Sequence, residues 1–173
     1  MKELGKELEA LIKRDRNHPC VFLWSVGNET EQQRFGGEEG AEYIKTMADY
    51  VKQLDPTRKV TCAQYPSRYK GITWTDEGWK DSEPSEICWS TDVCSCNYTW
   101  EFFEKDLQKY PDFIFIQSEA AVGYADLCGW EKINELPTAG QFYWGGIDYL
   151  GEAVSPEYRG WWRGFLDITC HKR

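Results

Sequence analysis

The sequence predicts an α/β fold built on a parallel sheet, and three observations predict it. A strand-helix-strand pattern occurs once in the first third of the chain and recurs after residue 92. Its strands include short, almost wholly apolar runs, as strands covered on both faces require. Small or polar residues follow directly at their C-terminal ends. With 173 residues, the chain is the size of one ordinary domain, taken as residues 1–173.

Each element has its own signal. Leu4, Leu8, Leu11 and Ile12 recur at helical spacing between charges, which predicts an amphipathic helix over 3–14, stopped by Asn17-His18-Pro19. Cys20 to Val26 (CVFLWSV) reads as a buried strand with Gly27-Asn28-Glu29 at its end. Ala41, Ile44, Met47, Ala48, Val51 and Leu54 give a second helix, ended by Asp55-Pro56, and Lys59 to Ala63 a second strand. Residues 64–91 carry Trp74, Trp79 and Trp89 among Gly, Pro, Ser and acids, a long excursion with at most a short helix. Asp92 to Tyr98 is a third strand, Thr99 to Lys109 a helix presenting Phe102, Phe103 and Leu107, and Phe113 to Ile116 a fourth strand running into Gln117-Ser118-Glu119. A short helix over Trp130 to Leu136 and a strand over Gln141 to Tyr149 complete the series. A full (β/α)8 barrel takes about 250 residues. Five strands therefore mean either a barrel lacking three of its strands or an open five-stranded sheet.

Composition narrows the partners. Twenty Lys and Arg against 29 Asp and Glu give a formal charge of -9, so the surface repels nucleic acid and anionic membranes. Aromatic residues reach 16%, nine of them Trp, which suits a carbohydrate or another flat-ring ligand. No apolar run approaches the roughly 20 residues of a membrane helix, and the N-terminus has no signal-peptide core. Seven cysteines without a CxxC pair, Cys94-x-Cys96 at strand spacing, and only His18 and His171 argue for free, mostly buried thiols and against a metal site. Free thiols favour a reducing, cytoplasmic setting, while export of a longer parent stays open.

In a parallel α/β fold, ligands bind at the carboxyl ends of the strands, so Glu29 and Glu119 would share one crevice although 90 positions separate them. Two facing carboxylates hydrolyse a glycosidic bond without metal or cofactor, one protonating the leaving oxygen and the other attacking the anomeric carbon. Asn28 can bond a sugar hydroxyl or satisfy local backbone. Trp144 can floor a sugar site or sit in the core. Asn97-Tyr98 ends the third strand in the same way, with the Tyr hydroxyl in a place to steady the nucleophile or to be an interior tyrosine. Ser25 and Ser118 read as packing or turn residues, and Glu101, Glu104 and Asp106 beside Lys105 and Lys109 as a solvated helix face. Gly36-Gly37 reads as an exposed turn.

The run Arg14 to Glu29, RDRNHPCVFLWSVGNE, resembles the acid/base signature of glycoside hydrolase family 2, the β-galactosidase and β-glucuronidase family, with Cys20 where Ser is usual. The likeness continues through Leu54-Asp55-Pro56-Thr57-Arg58, Asp92-Val93, Asn97-Tyr98, Pro111-Asp112, Ser118-Glu119, Trp130 to Leu136 and Phe142 to Glu152. The resemblance implies a partial (β/α)8 TIM barrel, approximately strands four to eight, truncated at both ends. It implies Glu29 as general acid/base, Glu119 as nucleophile, and Asn28, Asn97, Tyr98 and Trp144 as substrate-site residues, with no cofactor and no metal. It further implies a retaining reaction on an oligosaccharide or glycoconjugate, with carboxyl groups about 5 to 5.5 Å apart. Asp148-Tyr149-Leu150-Gly151-Glu152 leans toward β-galactosidases. Two rival expectations remain: an inactive barrel fragment that binds carbohydrate weakly or serves structurally, and an open-sheet hydrolase of other chemistry. A half-built barrel would also need its missing half or self-association to cover exposed strands.

Overall fold

The computed structural model describes residues 2–35, 37–121, 124–155, 158–161 and 164–172. Helix α1 (Lys2–Asp15) leads into β1 (Leu23–Asn28), and a short α2 (Glu31–Phe35) and long α3 (Gly37–Leu54) lead into β2 (Lys59–Gln64). The excursion that follows holds three single 3-10 turns, at Tyr69–Gly71, Trp79–Asp81 and Glu86–Trp89. Then come β3 (Val93–Asn97), a 3-10 turn at Trp100–Phe102, α4 (Phe103–Lys109), β4 (Ile114–Ala121), α5 (Tyr124–Glu135) and β5 (Gln141–Trp144). The last pair, β6 (Tyr149–Ser155) and β7 (Tyr158–Trp161), is an antiparallel hairpin.

The five-stranded sheet runs in chain order, β1-β2-β3-β4-β5, with every neighbouring pair parallel. Strict chain order with helical crossovers is barrel winding. The sheet curls far enough that Phe22, just before the edge strand β1, stacks on Phe142 of the opposite edge strand β5, ring centroids 6.5 Å apart. The architecture is thus a curled part of a TIM barrel with five parallel strands, rather than an open sheet.

The apolar core lies between the convex face and the helices. Trp24 and Val60 pack with Ile12 of α1 and Ala48 and Val51 of α3. Cys62 packs with Ala41, Ile44 and Ile87. Cys94, Cys96 and Phe115 pack with Phe103 of α4 and Ile133 of α5. The alternate residues face inward: Thr61 Oγ1 donates to Val93 O and lies 2.7 Å from Ser95 Oγ, a polar ladder on the concave face.

Several boundaries differ from expectation. Cys20 to Phe22 lie outside β1, because Asn17-His18-Pro19 continues into a turn closed by Val21 N donating to His18 O, 3.1 Å. Strand β1 instead runs on through Gly27 and Asn28. The expected strand over Gln141 to Tyr149 stops at Trp144, and Tyr149 opens the hairpin. Helix α5 starts earlier than Trp130, at Tyr124. Its Gly129 abuts the Trp100 indole so closely that a Cβ would stand 2.8 Å from it. Asp106 does not belong to a solvated face: it is buried and holds buried Arg68 through two bonds of 2.7 and 2.8 Å. The free-thiol expectation fails for Cys88 and Cys94, which are bonded to each other, because the excursion after β2 returns Cys88 beside β3. Cys62 and Cys96 are buried free thiols, pushed up to about 12 by burial, and Cys20 and Cys170 are exposed. Gly37 is exposed and left-handed, φ +47°, as a turn requires, and Gly36 lies outside the described residues.

Candidate active site

The segment before Glu29 is anchored by the segment after α3. Asp55, buried, accepts bonds from Trp24 Nε1 (2.9 Å), Thr57 N (3.0 Å), Thr57 Oγ1 and Arg58 (2.7 Å). Burial pushes its carboxyl up, but the bonds from Thr57, Trp24 and Arg58 together overcome that and hold it well below the usual carboxylate range. Arg58 reaches back to Val21 O and His18 O, and Arg16 to Leu54 O. The charged residues of the Arg14 to Glu29 run and of Leu54 to Arg58 thus set the place of β1.

At the other end of the strand, the register shifts between Ser25 and Asn28, and Glu29, just past β1, still donates its backbone N–H to Ala63 O of β2, 2.9 Å. Glu29 adopts φ +49° and Tyr98 adopts φ +56°. Such left-handed conformations are strained for non-glycine residues and persist where the surroundings over-determine them, often at functional sites.

Strand β3 then joins the two glutamates. The side chain of Asn97, fully buried, donates from Nδ2 to Asn28 Oδ1 and to Glu29 Oε1, both 3.0 Å. Its Oδ1 accepts from Ser118 Oγ, 2.7 Å. The next residue, Tyr98, donates its hydroxyl to Glu119 Oε2, 2.7 Å, while its backbone N–H bonds Glu119 O, 2.8 Å. Asn97 and Glu119 are register partners across β3 and β4. Glu29, Asn28, Asn97, Tyr98 and Glu119 are therefore brought together at the C-terminal ends of β1, β3 and β4. Both glutamates stay partly exposed, so each can meet solvent or ligand.

Trp144 ends β5, paired with Ala121 two positions past Glu119. It is 42% exposed, with ring centroids 6.4 Å from Tyr149 and 6.1 Å from Trp161. Its peptide bond to Gly145 is cis.

Two residues outside the expected set join the site. Ser118, read as a turn residue, fixes the amide orientation of Asn97; its place directly before Glu119 was the available signal. Arg34 of α2 lies 3.3 Å from Glu29 Oε2, the oxygen opposite Asn97. Ser25 does serve the turn, donating to Gly27 O. Of the excursion tryptophans, Trp79 packs on Phe102 and Trp89 on Tyr110 and Phe113, while Trp74 stays exposed beside Tyr65.

Among the described residues, the sulfurs of Cys88, Cys94 and Cys96 lie within 4.8 Å of one another. Two of them are bonded together, which leaves one thiol, and the group lies in the core on the convex side. No helix of the described residues is long and apolar enough to cross a membrane.

The family model described as "Glycosyl hydrolases family 2, TIM barrel domain" matches residues 2–123, more than half of the chain and both glutamates. Among curated relatives, a β-glucuronidase of Paenibacillus borealis is 41% identical over 59 residues, 34% of this chain and 9% of that protein. The β-glucuronidase of Sus scrofa is 38% identical over 71 residues, 40% of this chain and 10% of that protein. The chain spans about a tenth of the length of these curated relatives. Among solved structures, a glycosyl hydrolase family 2 member from Bacteroides cellulosilyticus superposes over 99% of this chain and 20% of its own, with TM-score 0.73 and 27% identity. A Faecalibacterium prausnitzii β-glucuronidase shares the fold, with TM-score 0.71 and 20% identity over 99% of this chain and 33% of its own. A barrel-ordered parallel sheet, glutamates at the tops of β1 and β4, and a profile spanning both lead to one assignment: the chain belongs to glycosyl hydrolase family 2, as part of its TIM barrel domain.

Proposed function

We propose that this chain carries the acid/base and the nucleophile of a retaining β-glycoside hydrolase that removes a terminal β-linked sugar from an oligosaccharide or glycoconjugate. The observation that carries the reading is the Asn97-Tyr98 pair, which holds Glu29 with one side chain and Glu119 with the other. Glu119 attacks the anomeric carbon while Glu29 gives its proton to the departing oxygen, forming a covalent glycosyl-enzyme. Glu29 then takes a proton from water, which attacks the anomeric carbon and frees Glu119. The Tyr98 hydroxyl fixes one oxygen of Glu119 and leaves the other for the sugar. Asn28 meets the hydroxyl next to the anomeric carbon, and Trp144 offers an apolar face to the ring. Neither metal nor cofactor enters these steps.

The sugar has two supported readings. Asp148 to Glu152 favours a β-galactoside, the first choice; the curated relatives bear the name β-glucuronidase, which favours a β-glucuronide. Paired nitrophenyl galactoside and glucuronide assays on the protein at its native length decide between them. The mechanism is tested with the matching 2-fluoro sugar: mass spectrometry should find the label on Glu119, and Glu119→Gln should abolish turnover. A label elsewhere, or wild-type turnover by the variant, removes Glu119 from the reaction. Saturable galactoside binding with no hydrolysis would favour the non-catalytic carbohydrate-binding alternative.

A further inference from the structure

We propose that the shelf formed by Arg34, Tyr65 and Trp74 is a leaving-group subsite that takes a second, uncharged sugar ring, so that the preferred substrate is an oligosaccharide rather than a glycoside of a small alcohol. This rests on the acid/base reading of Glu29. The two oxygens of Glu29 face different ways: Oε1 is held by Asn97, the residue tied to Ser118 and, through β3, to Glu119, while Oε2 faces Arg34. An acid that protonates the glycosidic oxygen has the cleaved sugar on its nucleophile side and the leaving group on the other. That other side is a cavity of about 260 Å³ lined by Arg34, Tyr65, Ser67, Gly71 and Thr73.

The shelf is rigid before any ligand arrives. Buried Gln33 donates to Tyr65 O (2.9 Å) and Ser67 Oγ (3.1 Å) and accepts from Tyr65 N, so the loop after β2 is locked to α2, the helix that follows Glu29. Thr73 is held by Asp76 through backbone and hydroxyl bonds, both 2.8 Å, which fixes the turn carrying Trp74. Tyr65 and Trp74 stand with ring centroids 6.1 Å apart, tilted by 43°, and Trp74 is 57% exposed. A large exposed ring on an ordered turn, beside a cavity edged by Ser67, Thr73 and Arg34, suits the apolar face of a pyranose, whose hydroxyls meet those side chains.

Charge argues for a neutral ring. The Arg34 guanidinium is already engaged, 3.3 Å from Glu29 and 3.9 Å above the Tyr65 ring. In the adjoining cavity of about 360 Å³, Lys70 is offset by Glu38 and Glu86. Arg34 is thus a source of N–H donors more than of unpaired charge.

The test uses the protein at its native length and compares wild type with Trp74→Ala on a β-linked disaccharide and on the methyl β-glycoside of the same sugar. Both substrates need protonation by Glu29, and only one has a second ring. The ratio of kcat/KM for the disaccharide to that for the methyl glycoside should fall about tenfold. A ratio left at its wild-type value overturns the subsite. So does a fall seen only with a phenyl glycoside, which would mark a site for flat aromatic leaving groups. Wild-type protein inert toward every glycoside overturns the glycosidase reading itself, and the subsite with it.

Discussion

Replacing Asn97 by Ala removes the amide that donates 3.0 Å to Glu29 Oε1, and the loss can be sized from the site. Glu29 is protonated in the step it catalyses, and a hydrogen bond between neutral groups contributes about 0.5–1.5 kcal/mol. If that bond aims the acid, the barrel should lose about 2- to 12-fold in kcat/KM, at roughly 1.4 kcal/mol per decade. Loss of the bonds to Asn28 and Ser118, with Asn97 fully buried, also lowers stability by about 2 kcal/mol. A bare rate loss would therefore not separate positioning from loosening of the fold. Leaving-group dependence does separate them: a methyl glycoside needs the proton of Glu29, and a dinitrophenyl glycoside departs without it. The assay measures glycosylation rates on both substrates below the melting transition of the variant. The large loss is expected on the methyl glycoside, with the dinitrophenyl glycoside losing far less. Equal losses on the two substrates would refute the claim that Asn97 acts through Glu29.

Two further changes test the scaffold. Asp106→Asn leaves Arg68, 2% exposed, without its charged partner, and urea denaturation should show a loss of about 3–5 kcal/mol; a loss under about 1 kcal/mol would show the pair to be replaceable. Asp55→Asn weakens the bonds to Trp24, Thr57 and Arg58, with an expected loss of about 2–3 kcal/mol at neutral pH. The folded carboxyl of Asp55 titrates below its unfolded value, since bonds from Thr57, Trp24 and Arg58 outweigh the upward push of burial. Its contribution is present above about pH 4 and fades as pH falls through the folded value. The gap between wild type and variant should therefore narrow in acid, and a gap constant from neutral pH down to acid would contradict the assignment.

Much of the fold was legible because its signals are local. Helical spacing marked α1 and α3, whose apolar faces pack as expected, and the repeated strand-helix-strand unit foretold a parallel sheet in chain order. Strand ends were harder to read. The apolar run Cys20 to Val26 looks continuous, yet hydrophobicity does not distinguish Val21, packed beside the first helices, from Phe22, reaching across to Phe142. The helix expected over Trp130 to Leu136 is the end of α5, whose earlier turns hold Gly129 against the Trp100 indole of another element, a contact that spacing does not show. Asp106 looked like one charge among several on a surface helix. Only the return of Arg68 from the long excursion, 38 positions earlier, places it in the interior. The Cys88–Cys94 bond likewise depends on where the excursion comes back, which spacing does not encode. The glutamates themselves were visible as acids ending apolar strands.

The site also explains why a strand with no reactive group is its organising element. Strand β3 pairs directly with β4, so Tyr98 needs only a left-handed turn to reach Glu119 on the neighbouring strand. Glu29, just past the end of β1, is two strands away, and Asn97 reaches it across β2. On β2, Ala63 is the register partner of Asn28 and, on its other side, of Ser95, two positions before Asn97. One strand thus carries the contacts to both glutamates, Asn97 to Glu29 and Tyr98 to Glu119.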